Sequence, residues 1–574
     1  MDFWLHVVNI ILLFAMLGAS LNLLLGYAGL VSMSHAAFFG VGAYAAALTA
    51  VHLGWPFPLT LLAAIAITTV LAGGVTFPAL RVRGEYLILL TLALQMVLYE
   101  LMLSWVDLTE GRTGISAIPR PVVFGQRIVT PAQFLPLIAV CAAIVFTVAH
   151  RVGESPLGRV LKAIRDDERA TQAIGKNVVR YKVIVFSVSG ALAAVAAALF
   201  AHYQAFINPF SFTLERSIFL VALVVLGGTA NLLGTLVGAA LFVGLPELLR
   251  FLQAPQDIVD ALRDFVFGAL LVAFMRFRPQ GLVPERAGAR PRRTDRTEAD
   301  AARAAPTAPA VVPAARTTAA APALVAESLT KRFGGIYAAD GLSLVLPAGQ
   351  VTALVGPNGA GKTTVFNLLT GFVAPDAGRV LLHGRDITGL APWRTVGYGL
   401  ARTFQDVRLF ERMTVLDNVM AAIPGQPGER LAPLFFAPWR TARAEREHCA
   451  RALEELAFVG LANRAGALAG ALAYGDQKLV ALARLLATGA DVLLLDEPAS
   501  GVDVHWVSRI LELIRRVAAA GKTVCIVEHN LEVVTAVADR AYFMETGRII
   551  TEGRPEALMA DPQLGEIYFG TGAA

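Results

Sequence analysis

Long apolar runs in the first half of the sequence constrain the fold more than any other feature. A helix needs about 20 mostly apolar residues to cross a bilayer. Runs of that kind lie at residues 5–25, 30–53, 57–79, 85–105, 132–150, 182–206, 216–231, 232–251 and 260–276. Charged residues make up only 16% of the chain, against about 25% in an average soluble protein. We therefore predict an α-helical polytopic membrane domain of about nine spans over residues 1–283.

Basic residues cluster between the apolar runs. The segment 151–182 carries eight Lys or Arg residues and four acidic residues, Arg81 and Arg83 flank another loop, and the tail after residue 275 is basic. Because Lys and Arg are enriched in cytoplasmic loops, these segments are predicted to lie in the cytoplasm, with the N-terminus outside. The same clustering explains the net charge of +5, so we predict a lipid bilayer and no nucleic acid as partner.

Glycines recur within the predicted spans and admit two interpretations. The set is Gly26, Gly29, Gly40, Gly42, Gly234 and Gly238. Gly234 and Gly238 form a GxxxG pair, which lets helix backbones approach closely, and close packing is the simpler interpretation. Under the alternative, some of these glycines lie in broken helices that line a path. Gly227 and Gly228 fall where a turn would separate the two candidate spans within 216–251.

The loop at 158–177 differs from the other connections because it is long, polar and charged. Its pattern predicts a short amphipathic helix that ends at Gly175, since glycine is common just past a helix C-terminus. A helical surface in a cytoplasmic loop favours a docking role over simple solvation.

A change of composition divides the chain into two halves. The stretch 284–322 is nearly all Ala, Pro, Thr and Arg and has no aromatic residue. Such a segment cannot bury enough apolar surface to offset its ordering entropy, so a disordered linker is predicted there. A flexible chain over 290–322 would span roughly 30 Å root-mean-square. Residues 323–574 have the composition of a soluble domain.

A phosphate-binding motif lies near the start of the soluble half. In VTALVGPNGAGKTT an apolar strand precedes GxxxxGK[ST] and a predicted helix. The glycines let backbone N–H groups approach phosphate oxygens, and the helix N-terminus adds partial positive charge. Lys362 is predicted to reach the β- and γ-phosphates, and the Thr363 hydroxyl to bind Mg²⁺. The residues predicted to bind ATP here are Gly356, Pro357, Asn358, Gly359, Ala360, Gly361, Lys362, Thr363 and Thr364.

The segment VLLLDEP, residues 492–498, is a buried apolar strand that ends in two acids. Asp496 is predicted to hold Mg²⁺, directly or through water, and Glu497 to orient and deprotonate the attacking water. Two acids at a strand end are common by themselves, but here they follow a phosphate loop at a workable spacing. Together the motifs predict an α/β P-loop ATPase domain over residues 323–574.

Several short segments of this domain resemble the ABC ATPases. Gln405 in ARTFQ is similar to the Q-loop glutamine, and His529 in CIVEHN to the switch histidine. Phe333 in KRFGG lies where the family stacks adenine on an aromatic ring, and SGVD at 500–503 resembles the D-loop. The resemblance implies catalytic roles for Gln405, Glu497 and His529, with Gln405 also a candidate ligand of Mg²⁺.

The segment LAYGDQK resembles the signature motif of the same family. In an ABC dimer the signature motif of one ATPase faces the phosphate loop of the other. The usual form is LSGGQ; here Ala473 replaces the Ser and cannot give a hydroxyl to phosphate, which leaves backbone N–H groups at the next helix N-terminus. The residues implied to contact the partner's ATP are Ala473, Tyr474, Gly475, Asp476 and Gln477.

Three segments of the first half resemble the permease subunit of bacterial high-affinity branched-chain amino acid importers. They are LNLLLGYAGLVSMSHAAFFGVGAYAAAL, RVLKAIRDDERATQAIGKN and FRPQGL. The resemblance covers residues 15–283 and implies that 165–175 is the coupling element that contacts the ATPase. This element departs from the general importer pattern EAA---G, because 168–175 is one residue too long. The LAYG variant also resembles the ATPases of this importer family.

The resemblance implies a permease fused to an ATP-binding subunit. Such a chain would use ATP and Mg²⁺ to import branched-chain amino acids, or related small amides or carboxylates, across the bacterial inner membrane. A separate external binding protein would deliver the substrate. The complex would need a second permease domain and a second ABC ATPase, expected on different chains, with a homodimer as the other arrangement. Two alternatives are an ATP-driven exporter and a membrane-anchored ABC ATPase that transports nothing.

Overall fold

The chain forms two compact units. The first is Met1–Arg165, Val178–Arg286 and Glu429–Leu434; the second is Asp166–Asn177, Ala287–Gly428 and Phe435–Ala574. The computed structural model describes residues 2–79, 85–123, 125–249, 265, 268–269, 272–273, 276–278, 280–285 and 322–560. Most of the predicted linker, most of the ninth predicted span and the loop of Arg81 and Arg83 lie outside these described residues.

The first unit is almost entirely helical, as its apolar runs predict. Its helices are α1 (Asp2–Asn22), α2 (His35–Val51), α3 (Phe57–Ala79), α4 (Glu85–Ser104), α5 (Val106–Thr109), α6 (Pro131–Gly153), α7 (Pro156–Asp166), α9 (Val178–Gln204), α10 (Leu214–Gly227) and α11 (Leu232–Leu249). The short α8 (Glu168–Ala173) follows α7 in the chain but belongs to the second unit. A π-helical turn, Leu23–Tyr27, follows α1, and a 3₁₀ turn, Pro209–Phe212, precedes α10. A small antiparallel hairpin joins β1 (Val122–Val123) to β2 (Gln126–Arg127).

Six described helices are long and apolar enough to cross a membrane. They are Asp2–Tyr27, Phe57–Gly74, Tyr86–Ser104, Pro131–Gly153, Val178–Gln204 and Pro209–Gly227. His35–Val51 and Leu232–Glu247 are shorter apolar helices. The run predicted to span 30–53 begins only at His35, because residues 28–34 are irregular and Gly29 has a φ of 67°. Gly227 and Gly228 do separate α10 from α11, as predicted.

Helices α1 and α9 lie at the centre of the first unit. Within their most apolar stretches 78% and 61% of the residues are buried, against 28% in α3, α4 and α6. Small residues allow this packing, since a Cβ at Gly42 would lie 2.8 Å from the Cβ of Ala197 and one at Gly238 would lie 2.5 Å from the carbonyl oxygen of Leu223. The glycines at 42 and 238 therefore serve close helix packing.

A fully buried asparagine near the end of α1 ties this helix to the α10–α11 turn. The Asn22 Oδ1 accepts from the backbone N–H of Ala230 at 2.8 Å. Its Nδ2 donates to the Thr235 Oγ1 at 2.8 Å and to the carbonyl oxygens of Asn231 and Gly228 at 3.2 and 3.3 Å. We refer to Asn22, Thr235, Ala230, Asn231 and Gly228 as the Asn22 cluster. Its polar groups are neutral and bond to one another.

The second unit is built on two sheets. The strands are β3 (Leu324–Phe333), β4 (Ile336–Leu346), β5 (Val351–Val355), β6 (Ala377–Leu382), β7 (Arg385–Asp386), β8 (Leu400–Arg402), β9 (Val492–Asp496), β10 (Thr523–Val527), β11 (Arg540–Glu545) and β12 (Arg548–Gly553). One sheet has the order β12-β11-β5-β10-β9-β8 and is parallel except for β12. The other, β4-β3-β6-β7, is antiparallel.

Helices cover the parallel sheet and form a separate helical layer. They are α12 (Lys362–Leu369), α13 (Pro392–Gly397), α14 (Val415–Ala422), α15 (Leu431–Phe436), α16 (Pro438–Phe458), α17 (Tyr474–Ala487), α18 (Val504–Ala519), α19 (Leu531–Val537) and α20 (Pro555–Met559). Strands β5, β10 and β9 are fully buried neighbours that run in the same direction. Their carboxyl ends therefore meet at one edge, where open α/β sheets bind ligands.

Candidate active site

The phosphate loop connects β5 to α12 through positions that only glycine occupies easily. Gly356, Gly359 and Gly361 have φ angles of 150°, 84° and 103°. A Cβ at Gly356 would collide with the carbonyl oxygen of Met544, and one at Gly361 with that of Ala338. The loop is thus packed backbone to backbone, and α12 begins directly after it, at Lys362. The loop therefore leads directly into the N-terminus of α12, where free backbone N–H groups of the first turn can bind phosphate.

Lys362 lies folded over the same loop. Its Nζ donates to the carbonyl oxygens of Gly356 at 2.7 Å and of Pro357 at 2.8 Å. Burial lowers the pKa of the ammonium group, and the carboxylates of Glu497 and Asp496 oppose that shift. The charge of Lys362 is therefore favoured by both acids at the end of β9.

Asp496, the last residue of β9, forms a buried ion pair with Arg402, the last residue of β8. The Arg402 Nη2 lies 3.0 Å from the Asp496 Oδ2, and the two side chains are 2% and 1% exposed. Burial raises the pKa of the Asp496 carboxyl, and the Arg402 guanidinium opposes that rise. The sequence analysis did not identify Arg402 as part of the site. The structure shows it at the end of β8, a short strand that is buried at every position.

The residues around Asp496 fit a divalent cation. Its second oxygen, Oδ1, is buried and has no hydrogen-bond partner within the described part of the chain. A carboxylate oxygen of this kind is a ligand that Mg²⁺ prefers. Thr363 lies in the first turn of α12 with its side chain exposed.

Glu497, Gln405 and His529 come together next to Asp496. The Gln405 Nε2 donates to the Glu497 Oε2 at 3.1 Å, and the His529 Nδ1 lies 4.0 Å from the Glu497 Oε1. Glu497 has a φ of 47°, which is uncommon for a residue with a side chain and is often found at functional sites. Its backbone N–H donates to the carbonyl oxygen of Val527, which fixes it at the end of β10. The three residues predicted to be catalytic therefore form one group.

Lys478 holds the segment that follows Glu497. Its Nζ donates to the carbonyl oxygens of Glu497 at 2.9 Å, Pro498 at 3.2 Å and Ser500 at 2.5 Å. The lysine thus connects α17 to the D-loop-like segment at 500–503. Sequence reasoning missed this residue because a lysine within a helix gives no sign of its distant partners.

The signature-like residues lie at the N-terminus of α17, the helix that also carries Lys478. Gly475 packs on the ring of Trp506, where a Cβ would come within 2.5 Å of the ring. The Asp476 carboxylate pairs with Arg464 at 3.0 Å, and the Gln477 Nε2 donates to the Leu472 carbonyl at 3.0 Å. The side chains of Asp476 and Gln477 are thus engaged within this chain, while Ala473 and Tyr474 are exposed.

Phe333 lies at the end of β3, in the hairpin that pairs it with Ile336. Its side chain is 51% exposed, and the Lys331 Nζ lies 5.7 Å from the ring centroid. The exposed ring leaves a face on which a nucleotide base could stack.

The segment Asp166–Asn177 packs within the second unit. The Arg408 Nη1 donates to the Asp167 Oδ2 at 2.8 Å, and the Arg412 backbone N–H donates to the Asp166 Oδ2 at 3.1 Å. The Lys176 Nζ donates to the carbonyl oxygen of Ile423 at 3.0 Å. These contacts match the predicted docking role of the loop.

The prediction of one helix in this loop needs a correction. The structure has two, α7 and α8, because Asp167 is extended and caps α8 by accepting from the backbone N–H of Ala170 at 2.9 Å. Gly175 does end the helical region, with a φ of 84°.

Comparisons with known proteins agree with both halves. Residues 1–275 match the family model of the branched-chain amino acid transport system permease component, and residues 339–500 match that of ABC transporters. The high-affinity branched-chain amino acid transport ATP-binding protein BraF of Pseudomonas aeruginosa is 38% identical over 43% of this chain and 97% of its own length. The corresponding protein LivG of Escherichia coli is 37% identical over the same shares. The chain belongs to the branched-chain amino acid ABC transporter family.

Membership in this family confirms the predicted fold class, a helical membrane domain followed by an α/β ABC ATPase. A solved nucleotide-free ATP-binding cassette from an ABC transporter is 36% identical and is covered over 100% of its length and 44% of this chain, with a TM-score of 0.39. These two ATP-binding relatives align with about two fifths of this chain over nearly their whole length, so this chain carries a permease domain that they do not. The protein is a membrane-bound ABC ATPase that binds ATP on its cytoplasmic side.

Proposed function

We propose that this chain is half of an importer that uses ATP hydrolysis to move branched-chain amino acids, or related small amides or carboxylates, across the bacterial inner membrane. The observation that carries the proposal is the group of Gln405, Glu497 and His529 beside a phosphate loop, on one chain with a branched-chain-type permease domain. Substrate would be delivered by a separate external binding protein.

The proposed roles are those that the motifs predict. Lys362 binds the β- and γ-phosphates of ATP, and backbone N–H groups of 356–364 bind the remaining phosphate oxygens. Phe333 stacks on the adenine. Glu497 accepts a proton from the attacking water, which Gln405 helps to orient, and His529 contacts the γ-phosphate.

Mg²⁺ fits the proposed site through three residues. Asp496, with its unpartnered Oδ1, is the main candidate, and Thr363 and Gln405 are the others. The ion would supply positive charge against the β- and γ-phosphate oxygens.

A complete transporter needs two copies of each half. Residues 473–477 would contact ATP bound by a second ABC ATPase, and the membrane domain would pair with a second permease domain. A hetero-complex is our first proposal and a homodimer the second. The predicted linker would keep one ATPase near each permease and raise its effective concentration.

The proposal is tested by purifying the tagged chain with its native subunits and identifying them by mass spectrometry. The ATPase rate is then measured with the binding protein of that complex, empty or loaded with leucine. We expect faster hydrolysis with the loaded binding protein. Hydrolysis that does not respond to it would contradict an importer and favour an exporter or an uncoupled ATPase.

A further inference from the structure

Arg402 contacts three parts of the ATP site at once. Its Nη2 lies 3.0 Å from the Asp496 Oδ2, its Nη1 donates to the Asn367 Oδ1 at 2.7 Å, and its Nε donates to the Thr403 carbonyl at 3.0 Å. Asn367 belongs to α12, the helix that follows the phosphate loop and begins at Lys362. One guanidinium therefore joins the helix of the phosphate loop to the acid at the end of β9.

The surroundings keep this guanidinium in place. The Arg402 Cζ lies 4.7 Å from the ring centroid of Phe404, 5.7 Å from that of Phe366 and 5.8 Å from that of Phe372. Planar stacking and forked hydrogen bonds are features that arginine has and lysine lacks. The cation is thus surrounded by three aromatic rings and held by hydrogen bonds from Nε, Nη1 and Nη2.

A second set of bonds connects the same strand to Asp496. The Asp496 backbone N–H donates to the Thr403 Oγ1 at 3.1 Å, and the Thr403 backbone N–H donates to the Leu494 carbonyl at 2.8 Å. The aspartate is therefore held by both its backbone and one carboxylate oxygen, and Oδ1 alone is left without a partner among the described residues. This arrangement leaves a single oxygen available to a cation.

We propose that Arg402 is a positioning residue for Mg²⁺, which fixes the Asp496 carboxylate so that one oxygen faces the metal. The inference rests on the proposed assignment of Asp496 as a ligand of Mg²⁺. Arg402 touches neither ATP nor water in this role; it acts through Asp496. Groups that orient metal ligands typically change metal affinity by 10 to 100-fold when they are removed.

Residues that closely follow Arg402 in the chain contact two further functional elements. Arg402 is followed three residues later by Gln405, which contacts Glu497, and six residues later by Arg408, which contacts Asp167. One short segment therefore contacts the proposed metal ligand, the proposed base and the loop 158–177. A shift of this segment would act on the metal site as well as on the base.

The test compares Arg402→Lys and Arg402→Met with Arg379→Lys in the full complex. Arg379 pairs with Glu327 in an ion pair whose side chains are 65% and 43% exposed, so it is a matched control. Binding of a fluorescent ATP analogue is measured with excess EDTA and across a Mg²⁺ titration, together with the Mg²⁺ concentration for half-maximal ATPase activity. Asn367→Ala is included because it removes one anchor of Arg402 and leaves the ion pair.

We expect Arg402→Lys to raise the required Mg²⁺ concentration by about tenfold, the scale for loss of an outer partner of a metal ligand. Binding in EDTA should stay at the wild-type level, and Arg379→Lys should change neither readout. Asn367→Ala should shift the Mg²⁺ requirement in the same direction by less. Arg402→Met should raise the Mg²⁺ requirement more than Arg402→Lys does. If Arg402→Met does not fold, Arg402→Lys alone tests the inference.

A wild-type Mg²⁺ requirement in Arg402→Lys would overturn the inference. Asp496→Asn separates this failure from failure of the assignment beneath it. If Asp496→Asn raises the Mg²⁺ requirement and Arg402→Lys does not, Asp496 binds Mg²⁺ without help from Arg402. If neither variant changes it, the Mg²⁺ assignment itself is wrong.

Discussion

The Asn22 cluster and the Arg402–Asp496 pair are two buried polar clusters in different halves of the chain. Both are almost fully removed from solvent and both join distant parts of their unit. The Asn22 cluster uses an amide, a hydroxyl and backbone groups, and its side-chain amide makes four hydrogen bonds. The second cluster uses two charges and leaves the Asp496 Oδ1 without a partner among the described residues.

The difference follows from what each cluster has to do. In a membrane domain a buried charge is costly, so neutral groups that satisfy one another are the stable means of connecting helices. In the ATPase the charge of Asp496 would serve the proposed Mg²⁺ site. The proposed cation site accounts for the Asp496 Oδ1, unpartnered within the described chain, whereas the Asn22 side chain has all its hydrogen bonds within the protein.

The largest expected effect lies in the ATPase and is produced by Glu497→Gln. The amide cannot accept the proton from the attacking water, so turnover should fall by at least about 100-fold, the lower end for loss of a general base. Nucleotide binding should persist, since Lys362 and the phosphate loop are untouched. The ATPase rate and ATP binding of the purified complex measure the two effects.

Glu447→Gln is the matched control for that variant. Glu447 lies on α16 in an exposed ion pair with Arg443, far in sequence from the motifs. It should leave hydrolysis unchanged. Normal hydrolysis in Glu497→Gln would show that another group acts as the base.

The next largest effect is expected in the permease and comes from Asn22→Leu. The change leaves the buried N–H of Ala230 without its acceptor, which should destabilise the membrane domain by about 1–3 kcal/mol. Thermal loss of the helical signal in detergent measures it, with ATP binding at low temperature as the internal control. Thr235→Val removes one bond of the cluster and should cost about 0.6 kcal/mol. Equal losses in both variants would contradict the cluster as described.

A smaller effect is expected from Asp167→Asn, which removes the charge opposite Arg408. Asn caps a helix as well as Asp does, so α8 should persist and only the ion pair should weaken. Because the ion pair is partly exposed, its removal should cost about 0.2–1 kcal/mol of interaction free energy, and this cost should shrink as salt is added. The salt dependence of ATPase stimulation by the loaded binding protein is the measurement. A large loss that salt does not change would contradict an electrostatic contact.

The smallest effect is expected from shortening the predicted linker within 290–322. A passive tether of Ala, Pro and Arg should tolerate the loss of a few residues with no change in transport, because chain dimensions vary only with the square root of length. Uptake by truncated chains, with ATP binding as a check on folding, tests this. Loss of transport on a modest deletion would contradict a passive tether.

The sequence predicted the parts of the site that lie in contiguous motifs. The phosphate loop, Asp496 and Glu497 could be predicted because each lies at or directly after the end of its strand in the chain. The turn at Gly227 and Gly228 could be predicted because two adjacent glycines interrupt the apolar run there. Arg402 was not predictable, since its partner lies 94 residues away and the strand pairing that joins them is not encoded locally.

The membrane half shows the same limit at helix ends. The run at 30–53 is apolar throughout, yet α2 begins at His35, whose Nε2 lies 2.7 Å from the Ser20 Oγ. Helices α7 and α8 are separate because the Asp167 side chain caps α8. The same residue could instead have continued a single helix, and the sequence does not show which conformation it adopts. Composition therefore predicts that helices exist, while individual side-chain hydrogen bonds accompany the points where they begin and end.

Uptake into proteoliposomes tests the central claim, ATP-driven import by this fused chain, most directly. The purified complex is reconstituted with ATP trapped inside, and its binding protein and radiolabelled leucine are added outside. Import predicts accumulation of leucine that requires both ATP and the binding protein and that disappears in the Glu497→Gln complex. ATP hydrolysis by the wild-type complex without accumulation of leucine or of a related small amide or carboxylate, or with net efflux of preloaded leucine, would contradict the account.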